Sequence, residues 1–74
     1  MELILKLSSF DDIKEFIDIT SRYGDNLSLK NGSYVVDAQS ILGIFSMDLS
    51  QPIHLICEGE NDNLRRELTP FIAA

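Results

Sequence analysis

The sequence predicts an α+β domain, a βαββαβα open-faced sandwich with a four-stranded antiparallel sheet and three helices on one face. Three observations predict it. "ELILKL" (residues 2–7) and "PIHLICE" (residues 52–58) alternate in polarity, the period of a strand with one face on a core. "FDDIKEFIDITSRY" (residues 10–23) repeats apolar residues at three- and four-residue intervals, the period of a helix. Asn31-Gly32 stands between two short β-prone runs, a hairpin signal.

Each element has a local cause. In the first strand Leu3, Leu5 and Leu7 share a face, and Glu2, Ile4 and Lys6 share the other. Ser8 and Ser9 follow at once, with Asp11 and Asp12 just beyond. Serine then carboxylate opens a helix: the hydroxyl caps a free N–H and the acids suit the positive dipole end. Phe10, Ile13, Phe16, Ile17, Thr20 and Tyr23 form its expected apolar stripe. Arg22 falls in the expected last turn, and Gly24 is the expected stop. "NLSLK" and "SYVVD" flank Asn31-Gly32, where a type I′ turn wants positive φ at both positions.

The next helix, after Ser40 as cap, is short and greasy, with Gly43 in its middle and Ser46 at its end. Pro52 begins the fourth strand, where no ladder N–H is required. There Ile53, Leu55 and Cys57 point inward, and His54, Ile56 and Glu58 outward; Gly59 ends it. "ENDNLRREL" reads as a last helix with Asn61 or Asp62 as cap and Leu64 and Leu68 inward. Pro70 should bend or end it near Thr69, with Phe71 and Ile72 docking on the core beyond. Every strand is expected to carry one strongly apolar face.

Seventy-four residues make a single domain, residues 1–74. A chain of this size buries only about 60% of its unfolded surface, enough for one thin core. The apolar fraction of 45% places it among globular rather than disordered chains. Formal charge is −6, with no basic run. That balance argues against nucleic acid and anionic membrane surfaces, so the expected partner is a protein, one with a basic face. The lone Cys57 cannot staple a domain. "MELILKLSSF" has Glu2 and only a short apolar run, so no signal peptide or membrane span is expected, and the cytoplasm is the expected compartment.

These elements resemble those of HPr, the small phosphocarrier of the bacterial sugar phosphotransferase system. The most specific piece is "QSILGIFSMDL" (residues 39–49), similar to the family's run of serine, two apolar residues, glycine, two apolar residues and serine. "IHLICEG" (residues 53–59) resembles the family's fourth strand, which also ends in glycine. The family's active centre is a glycine and an aliphatic residue followed by His-Ala-Arg-Pro, leading into the first helix. Here that junction is "KLSSFDDIKEF", with no His, Arg or Pro, and Asp11 and Asp12 would repel phosphate. The resemblance therefore implies a regulatory or protein-binding relative that is not an enzyme. The alternatives are an active phosphocarrier using another acceptor, His54, and a structural or assembly domain.

The remaining candidates each have two readings. Ser40 is an ordinary helix cap, or also the serine that a kinase phosphorylates in the resembling family. Ile41, Leu42 and Phe45 cover the sheet, or form the docking patch that the resemblance implies. His54 reads as a solvated strand residue without companions for a metal, and Cys57 as an inert core residue or a reactive thiol. No catalytic residue, cofactor or metal is expected. The uncovered sheet face, with Ile4, Ile56 and one of Tyr34 or Val35 around His54, is a second patch through which a homodimer could form.

Overall fold

The computed structural model describes residues 1–24 and 26–73. The elements are β1 (Glu2–Leu5), α1 (Phe10–Thr20), β2 (Leu27–Asn31), β3 (Tyr34–Asp37), α2 (Ile41–Phe45), β4 (Ile53–Cys57) and α3 (Asp62–Glu67), closed by a 3-10 turn at Thr69–Phe71. The sheet order is β1-β4-β2-β3, with every neighbouring pair antiparallel. The predicted open-faced βαββαβα sandwich is the observed fold.

Strand alternation builds the core. Leu3, Leu5, Leu27, Leu29, Ile53 and Leu55 are buried on one sheet face. Ile13, Phe16 and Ile19 of α1, Ile44 of α2, and Leu64 and Leu68 of α3 meet them. Each such side chain contributes about 1.5–3 kcal/mol of burial. The helix starts follow the capping chemistry: Ser9, Ser40 and Asn61 accept from the N–H groups of Asp12, Gly43 and Leu64. Pro70 does end α3, and Phe71 is buried beyond it. The final residues then pair with the β1 edge: Ile72 bridges Leu5, and Ala73 N–H donates to Ile4.

Several expectations need correction. α1 stops at Thr20, not Tyr23, so Arg22 lies beyond the last turn. The Arg22 and Tyr23 N–H groups bond three residues back, in tight turns. The Gln39 side chain donates to the Thr20 and Gly24 carbonyls and ties this turn down. Gly24 still supplies the positive φ at the end of this turn. β1 ends at Leu5, short of Leu7, which stays buried; the Lys6 N–H, on the outer edge, donates to the Phe71 carbonyl.

The hairpin pairs Asn31 with Tyr34, so its central residues are Gly32 and Ser33. Gly32 has φ +64 and no non-glycine residue described has positive φ. Positive φ at the first central position alone fits type II′ rather than I′. β4 is bounded at Ile53 and Cys57, leaving Glu58 outside it. β3 has no buried residue, because it is a sheet edge and only Val36 packs on the core. Phe10 leaves the α1 stripe and Ile19 takes a core place instead.

Candidate functional site

The β1–α1 junction is a closed hydrogen-bonded turn. Asp12 Oδ2 accepts from both the N–H and the hydroxyl of Ser8, each at 3.0 Å. In return Asp12 N–H donates to Ser9 Oγ at 3.1 Å. This is a capping box displaced by one residue, with the carboxylate at the positive end of α1. The Ser8 N–H, then its hydroxyl, hold the Asp12 carboxyl below its ordinary value. An anion arriving here meets a resident negative charge.

Phe10, the first residue of α1, stacks on Phe45, the last residue of α2, with ring centroids 5.5 Å apart and planes 13° from parallel. Lys14 Nζ lies 5.5 Å from the Phe10 ring centre, a cation–π contact one turn along α1. Both rings remain about half exposed, 54% for Phe10 and 45% for Phe45. Ile41 and Leu42 extend the apolar surface, and Leu42 is 78% exposed. Of α2, only Ile44 is buried. All three α2 residues singled out in the sequence are exposed. The sequence reading missed Phe10, whose spacing from Ile13 fits the core stripe; the patch needs it to complete the stack.

Gly43 explains how so short a helix seats itself. A Cβ there would stand 3.0 Å from Ser40 Oγ and from Val36 Cβ and Cγ1. Glycine lets α2 approach β3 while Ser40 keeps its cap bond to the Gly43 N–H at 3.1 Å. Ser40 is half-buried at the edge of the patch.

His54 lies elsewhere, on the open sheet face. One row across the sheet reads Ile4, His54, Lys30, Val35 and the next reads Glu2, Ile56, Ser28, Asp37. Val35, not Tyr34, therefore belongs to this face. His54 Nδ1 meets Glu2 Oε2 at 2.5 Å. The apolar residues of the face are thus interleaved with charged and polar ones, unlike those of the α2 patch. Cys57 is half-buried against the core, with its Sγ 3.5 Å from the Glu58 carbonyl. At the far end of α1, Glu67 of α3 accepts from the Tyr23 hydroxyl and pairs with Arg22 at 2.5 Å. Tyr23 first, then Arg22, hold the Glu67 carboxyl below its ordinary value. Among the described residues no helix is long and apolar enough to cross a membrane.

No protein-family model and no curated protein matches the chain. A solved structure does: the crystal structure of HPr-C-His from Thermoanaerobacter tengcongensis, with a TM-score of 0.73 and 21% identity. The match covers 95% of this chain and 85% of that one. The chain has an HPr-like fold. At that identity the likeness is one of architecture.

Proposed function

We propose that this is a non-catalytic, regulatory relative of the phosphotransferase-system phosphocarrier, working in the cytoplasm by binding another protein. The observation that carries the reading is the half-exposed Phe10–Phe45 stack with Leu42 projecting beside it. An apolar cluster of this kind on a small domain marks a binding surface. The α1 N-terminus supports the non-catalytic half of the reading. It holds the Asp12 carboxylate and no histidine, and the chain's one histidine is His54, mid-strand on the opposite face. Ser40, at the patch edge, is where a phosphate would alter partner choice.

A second reading has its own observation. Glu2 fixes His54 Nδ1 and leaves Nε2 as the nitrogen that could accept a phosphoryl group. One experiment separates the two. The chain is incubated with phosphoenolpyruvate and the enzyme that phosphorylates HPr, then searched for acid-labile phosphate by mass spectrometry. The expected result is no label. Label on His54 establishes the second reading and removes the first. A pull-down with wild type and Leu42→Ser tests the binding half: the partner should be lost with the leucine. A partner held equally by both proteins would place the interface elsewhere.

A further inference from the structure

We infer that the free edge of β3 is a self-association surface. Two copies of this chain pair β3 with β3, antiparallel about a two-fold axis at Val35, and the sheet continues from one molecule into the other. The two outer edges of the sheet differ. Along an antiparallel strand, residues alternate between bonding one side and bonding the other. Cys57 N–H donates to the Met1 carbonyl, so Leu3 and Leu5 bond β4, while Ile4 and Lys6 face outward. Both are occupied: Ala73 N–H donates to the Ile4 carbonyl and Lys6 N–H to the Phe71 carbonyl. The chain's own tail covers this edge. At the other edge Ala38 N–H donates to the Leu27 carbonyl, so Tyr34 and Val36 bond β2, while Val35 and Asp37 face outward. The Asp37 carbonyl accepts from the Ser40 N–H. Among the described residues no bond outside the ladder reaches the Val35 N–H or carbonyl.

This edge is apolar and exposed, 58% for Val35 and 44% for Tyr34. It has no Lys or Pro, and no bulge breaks its register with β2, so the usual blocks to edge pairing are missing except shortness. A second copy is the occupant because the edge is complementary to itself. With the axis at Val35, the N–H of each Val35 meets the carbonyl of the other, a reciprocal pair of bonds. Val35 then lies across from Val35, and Tyr34 lies across from Val36, aromatic against β-branched. Asp37, the one charged residue of β3, lies across from Ser33. An axis at Val36 would need the Asp37 carbonyl, which is already bonded, and an axis at Asp37 would set two carboxylates opposite each other. The open sheet face has no such match, because its apolar residues are interleaved with Glu2, Lys30 and His54.

The test is sedimentation equilibrium of the full chain from about 10 µM to about 1 mM, since mass action brings out a dimer held by so short a strand. The average mass of the wild type should rise from that of one chain toward that of two. Val35→Pro removes the outward N–H without touching the ladder to β2, so it should keep the wild-type circular dichroism and stay monomeric throughout. Val35→Lys sets two cations opposite each other and should raise the dissociation constant at least about tenfold. Leu42→Ser on the α2 patch and Ile56→Lys on the open face should dimerise as the wild type does. Hydrogen exchange at the Val35 amide should slow at the higher concentration.

A wild type that is monomeric at every concentration overturns the inference. So does a dimer that Val35→Pro and Val35→Lys leave intact, because its interface then lies away from the β3 edge. Loss of the dimer with Leu42→Ser or Ile56→Lys, while Val35→Pro still dimerises, moves the contact to the α2 patch or the open face and overturns it as well.

Discussion

Truncating Phe45 separates a docking residue from a core residue, and the structure sets the magnitude. A fully buried phenylalanine cut to alanine loses about 3–5 kcal/mol. Phe16 is such a residue. Phe45 is 45% exposed, its covered part including the Phe10 ring. About half the full burial term is at stake, so Phe45→Ala should cost roughly 1.5–2.5 kcal/mol. In a domain of this size that lowers Tm by roughly 6–20 °C. Part of the loss belongs to the stack, so Phe10→Ala and Phe45→Ala should not add. A double-mutant cycle should return a coupling of about 0.5–1.5 kcal/mol. Leu42→Ala, at 78% exposure, should cost less than about 1 kcal/mol. Urea unfolding followed by circular dichroism measures all of these. A Phe45→Ala loss equal to that of Phe16→Ala would make Phe45 a core residue and remove the need for a docking role. A coupling of zero would mean the two rings do not stack in solution.

Gly43→Ala pits a helix-propensity gain of up to about 1 kcal/mol against crowding of Ser40 and Val36 that costs about 1–3 kcal/mol. It should be net destabilising in the same unfolding assay, and a raised Tm would contradict the close approach of α2 to β3. Ser40→Ala should cost about 1 kcal/mol, whereas Ser40→Asp should hold stability because Asp caps as well and suits the dipole. If Ser40 is also a switch, Ser40→Asp should change the amount of partner recovered in the pull-down; equal recovery at low and at high salt would leave Ser40 a cap alone. Asp12 sets an acid limb. Its folded pKa lies below the ordinary 3.8, so its contribution is present above about pH 4 and is lost as pH falls through the lowered value. Unfolding titrations from pH 5 to about pH 2 should therefore fall more steeply for wild type than for Asp12→Asn; parallel curves would show that the Ser8–Asp12 bonds do not persist in solution.

Sequence alone determined the architecture of this protein because the relevant causes are local. Alternation in "ELILKL" and "PIHLICE" is a property of the extended backbone, and it placed Leu3, Leu5, Ile53 and Leu55 in the core. Ser9, Ser40 and Asn61 bond N–H groups three residues away, so the starts of all three helices were legible without any fold. Exposure of Leu42 and Phe45 came from resemblance to the HPr family rather than from periodicity, which left core and surface equally open for so short a helix.

Only the tertiary structure decided the rest, because the deciding partners are remote in the chain. α1 gives way after Thr20 to tight turns, where Gln39, remote in the chain, bonds the Thr20 and Gly24 carbonyls. β3 buries nothing because it falls at the sheet edge, a matter of strand order rather than of composition. Phe10 fits the helical stripe by spacing, yet the first turn of α1 reaches α2, and the ring stacks on Phe45. A periodic pattern fixes which way a side chain points relative to its own backbone. What it meets there depends on chain closure, and closure brings together residues that share no local pattern.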